Sequence, residues 1–177
     1  GRGSRLGGSP KQYRRIGGEP VIRSSLGRFA RHEMVAHVQP VIHRDDADLF
    51  AQAVAGMRFL APVFGGATRQ DSVRAGLEAL APLRPQVVLV HDAARPFASD
   101  DLIARAIDAV QHCNAAVPGL AVVDAVKQVD GEGRVLQTVD RNALRTVQTP
   151  QAFRYDALLE AHRRAHAQGI ADFADDA

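Results

Sequence analysis

The 177-residue sequence contains one cysteine, Cys113, so no disulfide bond can form within it. A lone cysteine is typical of proteins from reducing compartments, and we therefore expect a cytoplasmic protein. No apolar run approaches the length that crosses a bilayer, so we expect no membrane partner. Hydrophobic residues make up 46% of the chain and charged residues 24%, which is typical of a globular protein. The length fits one domain with a substantial core, and we predict a single domain over residues 1–177.

Positive charge is concentrated at the beginning of the chain. Residues 1–31 hold eight arginine and lysine side chains and one acid, Glu19, so this segment carries +7 and the remainder −5. Nucleic-acid-binding surfaces usually spread their cations more widely and interleave aromatic side chains, whereas only Tyr13 and Phe29 occur here. The clustering favours a compact polyanion such as a nucleoside triphosphate, and we expect no nucleic-acid partner. A non-catalytic module that binds nucleic acid or another anion is the alternative from a different functional class.

The first fifteen residues, G-R-G-S-R-L-G-G-S-P-K-Q-Y-R-R, form a glycine-rich cationic segment. Gly1 and Gly3 allow backbone conformations that are closed to other residues, so successive N–H groups can turn towards an anion. Arg5 and Lys11 add full positive charges. The pattern predicts a phosphate-binding loop, although glycine and charge content alone fit a disordered basic terminus equally well.

The middle of the chain alternates short apolar runs with helical patterns, which predicts an α/β fold with a parallel sheet. Residues 87–90 are continuously apolar, as in a strand buried on both faces of a parallel sheet. Ligands of such sheets bind beyond the carboxyl ends of the strands, where Gly65, Gly66 and residues 91–96 lie. Asp71 or Ser72 is the predicted cap of the helix that follows Gly66, and Ser99 the cap of the next one. Residues 124–151 break the alternation and predict a projecting β-hairpin.

Two side chains after the apolar run 87–90 could carry chemistry. The Asp92 carboxylate suits a magnesium ion that bridges phosphates, and a turn-capping role explains it equally well. Arg95 precedes Pro96, which favours an extended backbone and lets the guanidinium point at a phosphate; a surface ion pair is the alternative. His91 is best interpreted as a structural side chain at the strand end. The histidines show no metal-ligand spacing.

In order, the chain carries the motifs G-R-G-S-R-L, P-K-Q-Y, G-G-A-T-R-Q-D-S-V, V-H-D-A-A-R-P, V-V-D-A-V-K, T-V-D-R and Q-T-P-Q-A-F. Together they resemble the 2-C-methyl-D-erythritol 4-phosphate cytidylyltransferases over essentially the whole chain. The resemblance implies a Rossmann-like nucleotidyltransferase with a mostly parallel sheet, and a homodimer joined through a projecting β-arm at about 124–151. It also implies transfer of a cytidylyl group from CTP to the methylerythritol phosphate, with Mg²⁺ and release of pyrophosphate, in non-mevalonate isoprenoid precursor synthesis.

The resemblance also assigns roles to individual residues. Arg5 and Lys11 would be catalytic, because they would neutralise the triphosphate and the charge that develops at its α-phosphate. The nucleotide would be bound by Gly1, Gly3, Gly66, Ser72 and Asp92, with Asp92 also at the metal. The sugar-alcohol phosphate would be bound by Ala93, Arg95, Arg141 and Thr149, with Arg141 reaching over from the partner's arm.

The chain departs from the family pattern in several places. Ala125 stands where many relatives have threonine, and Ala67 where some have an acid. The family domain begins with an apolar strand before the first glycine and continues to a late lysine, and this sequence has neither. We therefore expect a longer chain, with fusion to 2-C-methyl-D-erythritol 2,4-cyclodiphosphate synthase as one form of it. A ribitol-5-phosphate cytidylyltransferase is the nearest rival, but the alanine before Arg95 in H-D-A-A-R-P favours methylerythritol phosphate.

Overall fold

The computed structural model describes residues 10–170 and residue 176. Helices and short strands alternate up to residue 109, and six strands then follow before the last helix. The helices are α1 (Val21–Ala30), α2 (Ala47–Ala53), α3 (Arg69–Leu80), α4 (Asp100–Ala109) and α5 (Tyr155–Ala167). The strands are β1 (Arg15–Ile16), β2 (Glu19–Pro20), β3 (Val41–Ile42), β4 (Val63–Phe64), β5 (Val87–Val90), β6 (Ala115–Ala116), β7 (Gly119–Ala121), β8 (Val126–Val129), β9 (Val135–Val139), β10 (Arg145–Val147) and β11 (Gln151–Arg154). No helix within these residues is both long enough and apolar enough to cross a membrane.

Local side-chain chemistry sets the ends of several helices. The Ser99 hydroxyl accepts a hydrogen bond from the Leu102 amide at 3.2 Å, so the predicted cap of α4 is confirmed. Gly169, with φ of +68°, follows α5 and ends it. The predicted cap of α3 was wrong: Thr68 caps this helix, and the Asp71 carboxylate accepts from the Thr68 amide in return. The reciprocal pair satisfies two N–H groups of the first turn, which explains why α3 begins before Asp71.

The strand that is buried on both faces is β11 rather than β5. β11 lies between β5 and β6 and pairs antiparallel with both, and its first three residues are buried. Phe153 packs against Leu77 and Leu158 from α3 and α5, whereas Ala152 packs against Val110 beside α4. Because neighbouring residues of a strand point to opposite faces, β11 has helices on both sides.

The direction of the strands also differs from the prediction. Within the described residues, the parallel ladder joins β3 to β4, and the other ladders are antiparallel. The described part of the chain is therefore a mixed α/β fold, and it does not display the mostly parallel sheet that we expected. Apolar run length indicates how deeply a strand is buried, but it carries no information about the direction of the neighbouring strand.

Residues 126–139 form a β-hairpin, in which β8 pairs antiparallel with β9. Its turn is closed by Asp130, whose Oδ1 accepts hydrogen bonds from the Glu132 and Arg134 amides, both at 2.9 Å. Val129, Val135 and Leu136 expose half or more of their surface. β7 pairs with β10 beside this hairpin. The core resumes at the buried Pro150, so the segment that leaves the core ends before residue 150.

Candidate functional site

Thr149 joins two of the segments that carry sequence-predicted substrate residues. Its hydroxyl lies 2.9 Å from His91 Nδ1, and the backbone nitrogen of Asp92 donates to the same oxygen at 3.3 Å. The other ring nitrogen of His91, Nε2, lies 2.9 Å from the carbonyl oxygen of Arg95. A carbonyl oxygen can only accept, so we assign the ring proton to Nε2. Thr149 then donates its hydroxyl proton to Nδ1, and the turn after β5 is closed by a continuous chain of hydrogen bonds.

Burial keeps the His91 ring neutral. Desolvation lowers the pKa of His91 below its ordinary value, although the hydrogen bond to the Arg95 carbonyl and the Asp92 charge oppose it. A neutral ring is what the hydrogen bond from Thr149 requires, because a protonated Nδ1 could not accept. His91 therefore has a structural role, as the sequence suggested. Its ring connects Thr149 to the backbone of the turn that holds Asp92 and Arg95.

Arg95 is held by two polar side chains. Its Nε lies 3.1 Å from Asp92 Oδ2, and its Nη1 donates to Gln148 Oε1. Arg95 and Asp92 each expose a little under half of their side chains, so the ion pair adds little stability. Its effect is to orient a guanidinium whose remaining N–H groups can bind an anion. Both sequence interpretations of Arg95 are thus compatible, since the ion pair leaves donors available.

The glycines after β4 pack against the first turn of α3. A Cβ atom at Gly66 would lie 2.3 Å from the Cβ of Asp71, and one at Gly65 would lie 2.4 Å from Ser72 Oγ. The Ser72 hydroxyl donates to the Thr68 carbonyl oxygen at 3.0 Å. The Thr68 hydroxyl bonds the Asp71 carboxylate at 2.9 Å and is the main reason that the pKa of Asp71 lies below its ordinary value. Gly66 and Ser72 therefore lie in one closely packed unit, as a shared nucleotide contact requires.

The other predicted site residues have more varied positions. Lys11 is exposed in a 3₁₀ turn, Lys11–Tyr13, whose Tyr13 packs against the core cluster that includes Ile22 and Phe50. Ala93 packs against the same cluster, so its methyl group faces the protein and a ligand would meet its backbone. Arg141 is exposed beside the hairpin and donates to the Val123 carbonyl oxygen. Three predicted residues lie outside the described residues: Gly1, Gly3 and Arg5.

The metal prediction concerns one carboxylate. Within residues 10–170 and 176, no group of three or more histidine, cysteine, aspartate or glutamate side chains could hold a metal ion. Asp92 would thus bind the metal with at most one further side chain of these types from the described residues. Such a site fits Mg²⁺, which commonly takes one or two carboxylates and completes its octahedron with water and phosphate oxygens.

Sequence reasoning missed Gln148, Gln151 and Asp176. Gln148 holds Arg95, whereas Gln151 is buried in β11 and accepts a hydrogen bond from the Asp176 amide at 3.4 Å. The motif Q-T-P-Q-A-F contains both glutamines, so a signal was present for these two. Asp176 stands in an acidic stretch that looks like a solvated end, and nothing in its local pattern predicts burial.

The family model described as 2-C-methyl-D-erythritol 4-phosphate cytidylyltransferase matches residues 1–177. The chain belongs to this family. Among curated relatives, a bifunctional enzyme IspD/IspF from Rhodopseudomonas palustris is 59% identical over 178 residues, which cover 100% of this chain and 44% of that protein. The protein of the same name from Nitrobacter winogradskyi is 57% identical, with 100% and 45% covered. This chain therefore spans less than half the length of these relatives.

Solved structures are similar over most of the chain. The 4-diphosphocytidyl-2C-methyl-D-erythritol synthase from Anaerococcus prevotii has a TM-score of 0.83 at 29% identity, with 92% of this chain and 71% of that chain covered. The 2-C-methyl-D-erythritol 4-phosphate cytidylyltransferase from Thermus thermophilus has a TM-score of 0.73 at 37% identity, with 96% and 76% covered. The fold is thus the mixed α/β fold of these cytidylyltransferases.

Proposed function

We propose that this domain transfers a cytidylyl group from CTP to 2-C-methyl-D-erythritol 4-phosphate and releases pyrophosphate, as a step of isoprenoid precursor synthesis. The observation that carries the proposal is the junction of Thr149 with His91 and Asp92, which joins two of the family motifs across 57 residues of sequence. Membership of the family supports the choice of reaction.

The reaction needs charge and position more than proton transfer. A phosphate oxygen of the methylerythritol phosphate attacks the α-phosphorus of CTP, and the bond from that phosphorus to the bridging oxygen breaks as pyrophosphate leaves. The attacking oxygen is already anionic, so no general base is required. Lys11 and Arg5 would neutralise the charge that develops on the α-phosphate oxygens. The exposed ammonium group of Lys11 is compatible with that role.

The sugar-alcohol phosphate would be bound by the turn after β5. Arg95, oriented by Asp92 and Gln148, would donate its remaining N–H groups to the substrate phosphate. Thr149 and the backbone of Ala93 flank the same turn. Arg141 of one subunit would complete the site of the other, because its described contact, with Val123, keeps it beside the hairpin of its own chain.

The nucleotide would be bound by Gly1, Gly3, Gly66, Ser72 and Asp92. Gly66 is exposed and carries no side chain of its own, so a base can approach its backbone. Asp92 would hold Mg²⁺, which supplies charge neutralisation at the phosphates when it is bound.

We further propose that the domain dimerises through the hairpin and works in the cytoplasm. The exposed Val129, Val135 and Leu136 support an arm that is covered by a partner. The parallel β3 and β4 pair supports a Rossmann-like sheet with further parallel strands. The bifunctional relatives support a longer chain that also carries a 2-C-methyl-D-erythritol 2,4-cyclodiphosphate synthase.

Release of pyrophosphate from CTP, measured in parallel with methylerythritol 4-phosphate and ribitol 5-phosphate, tests the reaction. We expect turnover with the first acceptor and loss of turnover in EDTA that Mg²⁺ restores. A preference for ribitol 5-phosphate would overturn the substrate assignment. Salt-sensitive binding to DNA or RNA without any CTP turnover would replace the enzyme with a binding module.

A further inference from the structure

Asp176 is a charged side chain in the interior of the protein. Its carboxylate exposes 2% of its surface, and it pairs with Arg69 Nη1 through Oδ2 at 2.5 Å. His162 Nε2 lies 3.1 Å from Oδ1, and the His162 side chain exposes only 6%. Carboxylates are rarely this buried unless they are paired, and Asp176 has two such partners, Arg69 and His162.

The carboxylate is ionised at neutral pH. Burial by itself would raise the pKa of Asp176, but the hydrogen bond from His162 and the charge of Arg69 outweigh it and keep the pKa below its ordinary value. An ionised Asp176 therefore attracts the Arg69 guanidinium into the interior, although Arg69 itself is one-third exposed.

Arg69 connects this buried charge to the glycine loop of the candidate site. It is the first residue of α3 and directly follows the cap Thr68. The same first turn packs against Gly66 with no space for even a Cβ atom. A displacement of this turn must therefore displace the loop as well, because close-packed groups cannot move independently.

We propose that Asp176 is a positioning residue for CTP: through Arg69 it holds the first turn of α3, and hence the Gly66 loop, in the geometry that binds the nucleotide. Asp176 does not touch the nucleotide in this proposal, which rests on the proposed cytidylyltransferase function. Asp176 also contacts Gln151, on the side of the site that would bind the sugar-alcohol phosphate. That contact is made by the Asp176 backbone amide, which donates to Gln151, so a side-chain substitution leaves it in place. The side chain of Asp176 thus serves the nucleotide half of the site.

The chain offers a matched control for a purely stabilising role. Asp176 links α3 to α5, because Arg69 belongs to α3 and His162 to α5. Glu78 and Arg163 connect the same two helices, with N–O distances of 2.8 and 2.6 Å. Glu78 lies near the end of α3 that is remote from Gly66. Replacement of Glu78 removes an ion pair between α3 and α5 without touching the first turn of α3.

The test compares Asp176→Asn and Glu78→Gln in the full chain by steady-state kinetics. We expect Asp176→Asn to raise the KM for CTP about tenfold while kcat and the KM for the acceptor change less than about twofold. Glu78→Gln should leave all three within about twofold. In an Arg69→Gln background, Asp176→Asn should add less than about twofold, because the residue it acts through is already absent. An unchanged KM for CTP in Asp176→Asn, or equal changes in both single variants, would overturn the proposal.

Two further experiments test the proposal if Asp176→Asn does not fold or if the wild-type chain does not turn over CTP. If Asp176→Asn does not fold, Arg69→Gln breaks the same contact from its more exposed side and must raise the KM for CTP alone. If the wild-type chain does not turn over CTP, the proposed function fails, and amide hydrogen exchange then tests the positioning role separately. Exchange in residues 65–72 should be faster in Asp176→Asn than in Glu78→Gln. Equal exchange in the two variants would contradict the link between Asp176 and the loop.

Discussion

The Thr149 hydroxyl donates to Nδ1 of His91 at 2.9 Å while it accepts from the Asp92 amide at 3.3 Å. Thr149→Val keeps the shape of the side chain but leaves a donor and an acceptor without a partner. We expect the free energy of unfolding to fall by about 1–3 kcal/mol. We also expect the KM for the substrate that accepts the cytidylyl group, methylerythritol 4-phosphate, to rise. Urea denaturation and initial-rate kinetics measure the two effects.

Thr149→Ser retains the hydroxyl and should keep most of the stability. Thr146→Val is the matched control, because Thr146 is exposed on β10 and its hydroxyl makes a long hydrogen bond of 3.4 Å to the Leu120 carbonyl. Its effect should stay within about 0.5 kcal/mol. If Thr149→Val and Thr146→Val lower the free energy of unfolding equally, the hydrogen bond between Thr149 and His91 contributes no more to stability than an exposed threonine does.

The neutral His91 ring predicts a pH dependence of stability. Its pKa in the folded protein is lowered from 6.5, so between that lowered value and 6.5 the unfolded chain binds more protons at this residue. The free energy of unfolding should therefore rise with pH through this window and level off above it. The lowered pKa values of Asp71, Glu78 and Asp176 act at a different pH, because their ordinary values are 4.5 or less.

His91→Asn should flatten the stability profile between pH 5 and 7, as measured by urea denaturation at half-unit steps. The asparagine carbonyl can still accept from Thr149, so the fold is retained. His43→Asn is the control, since His43 is exposed and caps the Asp45 amide. Parallel profiles in wild type and His91→Asn would assign the pH dependence to other groups.

Gly66→Ala tests the close packing of the loop on α3. The added Cβ would lie 2.3 Å from the Asp71 Cβ, a distance that requires the backbone to shift. We expect a loss of about 1–3 kcal/mol in the free energy of unfolding and weaker CTP binding by calorimetry. Gly131→Ala is the control, because nothing lies within 4 Å of a Cβ there. A fully stable Gly66→Ala variant with normal CTP affinity would remove the basis for a tightly packed nucleotide loop.

Arg95→Lys tests the need for a guanidinium. One ammonium group cannot contact Asp92, Gln148 and a substrate phosphate in the fixed geometry that the guanidinium offers. The KM for the acceptor should rise about tenfold and the KM for CTP should change little. Arg105→Lys, at the exposed pair with Asp101, should leave both constants unchanged. If Arg95→Lys behaves like Arg105→Lys, the acceptor phosphate is bound elsewhere.

Local signals predicted local structure well. Ser99 as the cap of α4 and the β-hairpin within residues 124–151 depend on groups close to each other in the sequence, and both are present. The ordered motifs also predicted the family, which the family model confirms. The cap of α3 was wrong by three residues or more, because both Thr68 and Asp71 are good capping side chains and the pattern does not rank them.

The sequence by itself determined the helices, the hairpin and the family, because these follow from short-range chemistry and from residue order. Tertiary structure alone decided that β11 is the strand buried on both faces, that Thr149 meets His91, and that Asp176 is buried with Arg69 and His162. Each of these pairings joins residues that are remote in sequence or that look solvated locally. Strand direction and the burial of a charge depend on which partners the fold brings together, and no local pattern records those partners.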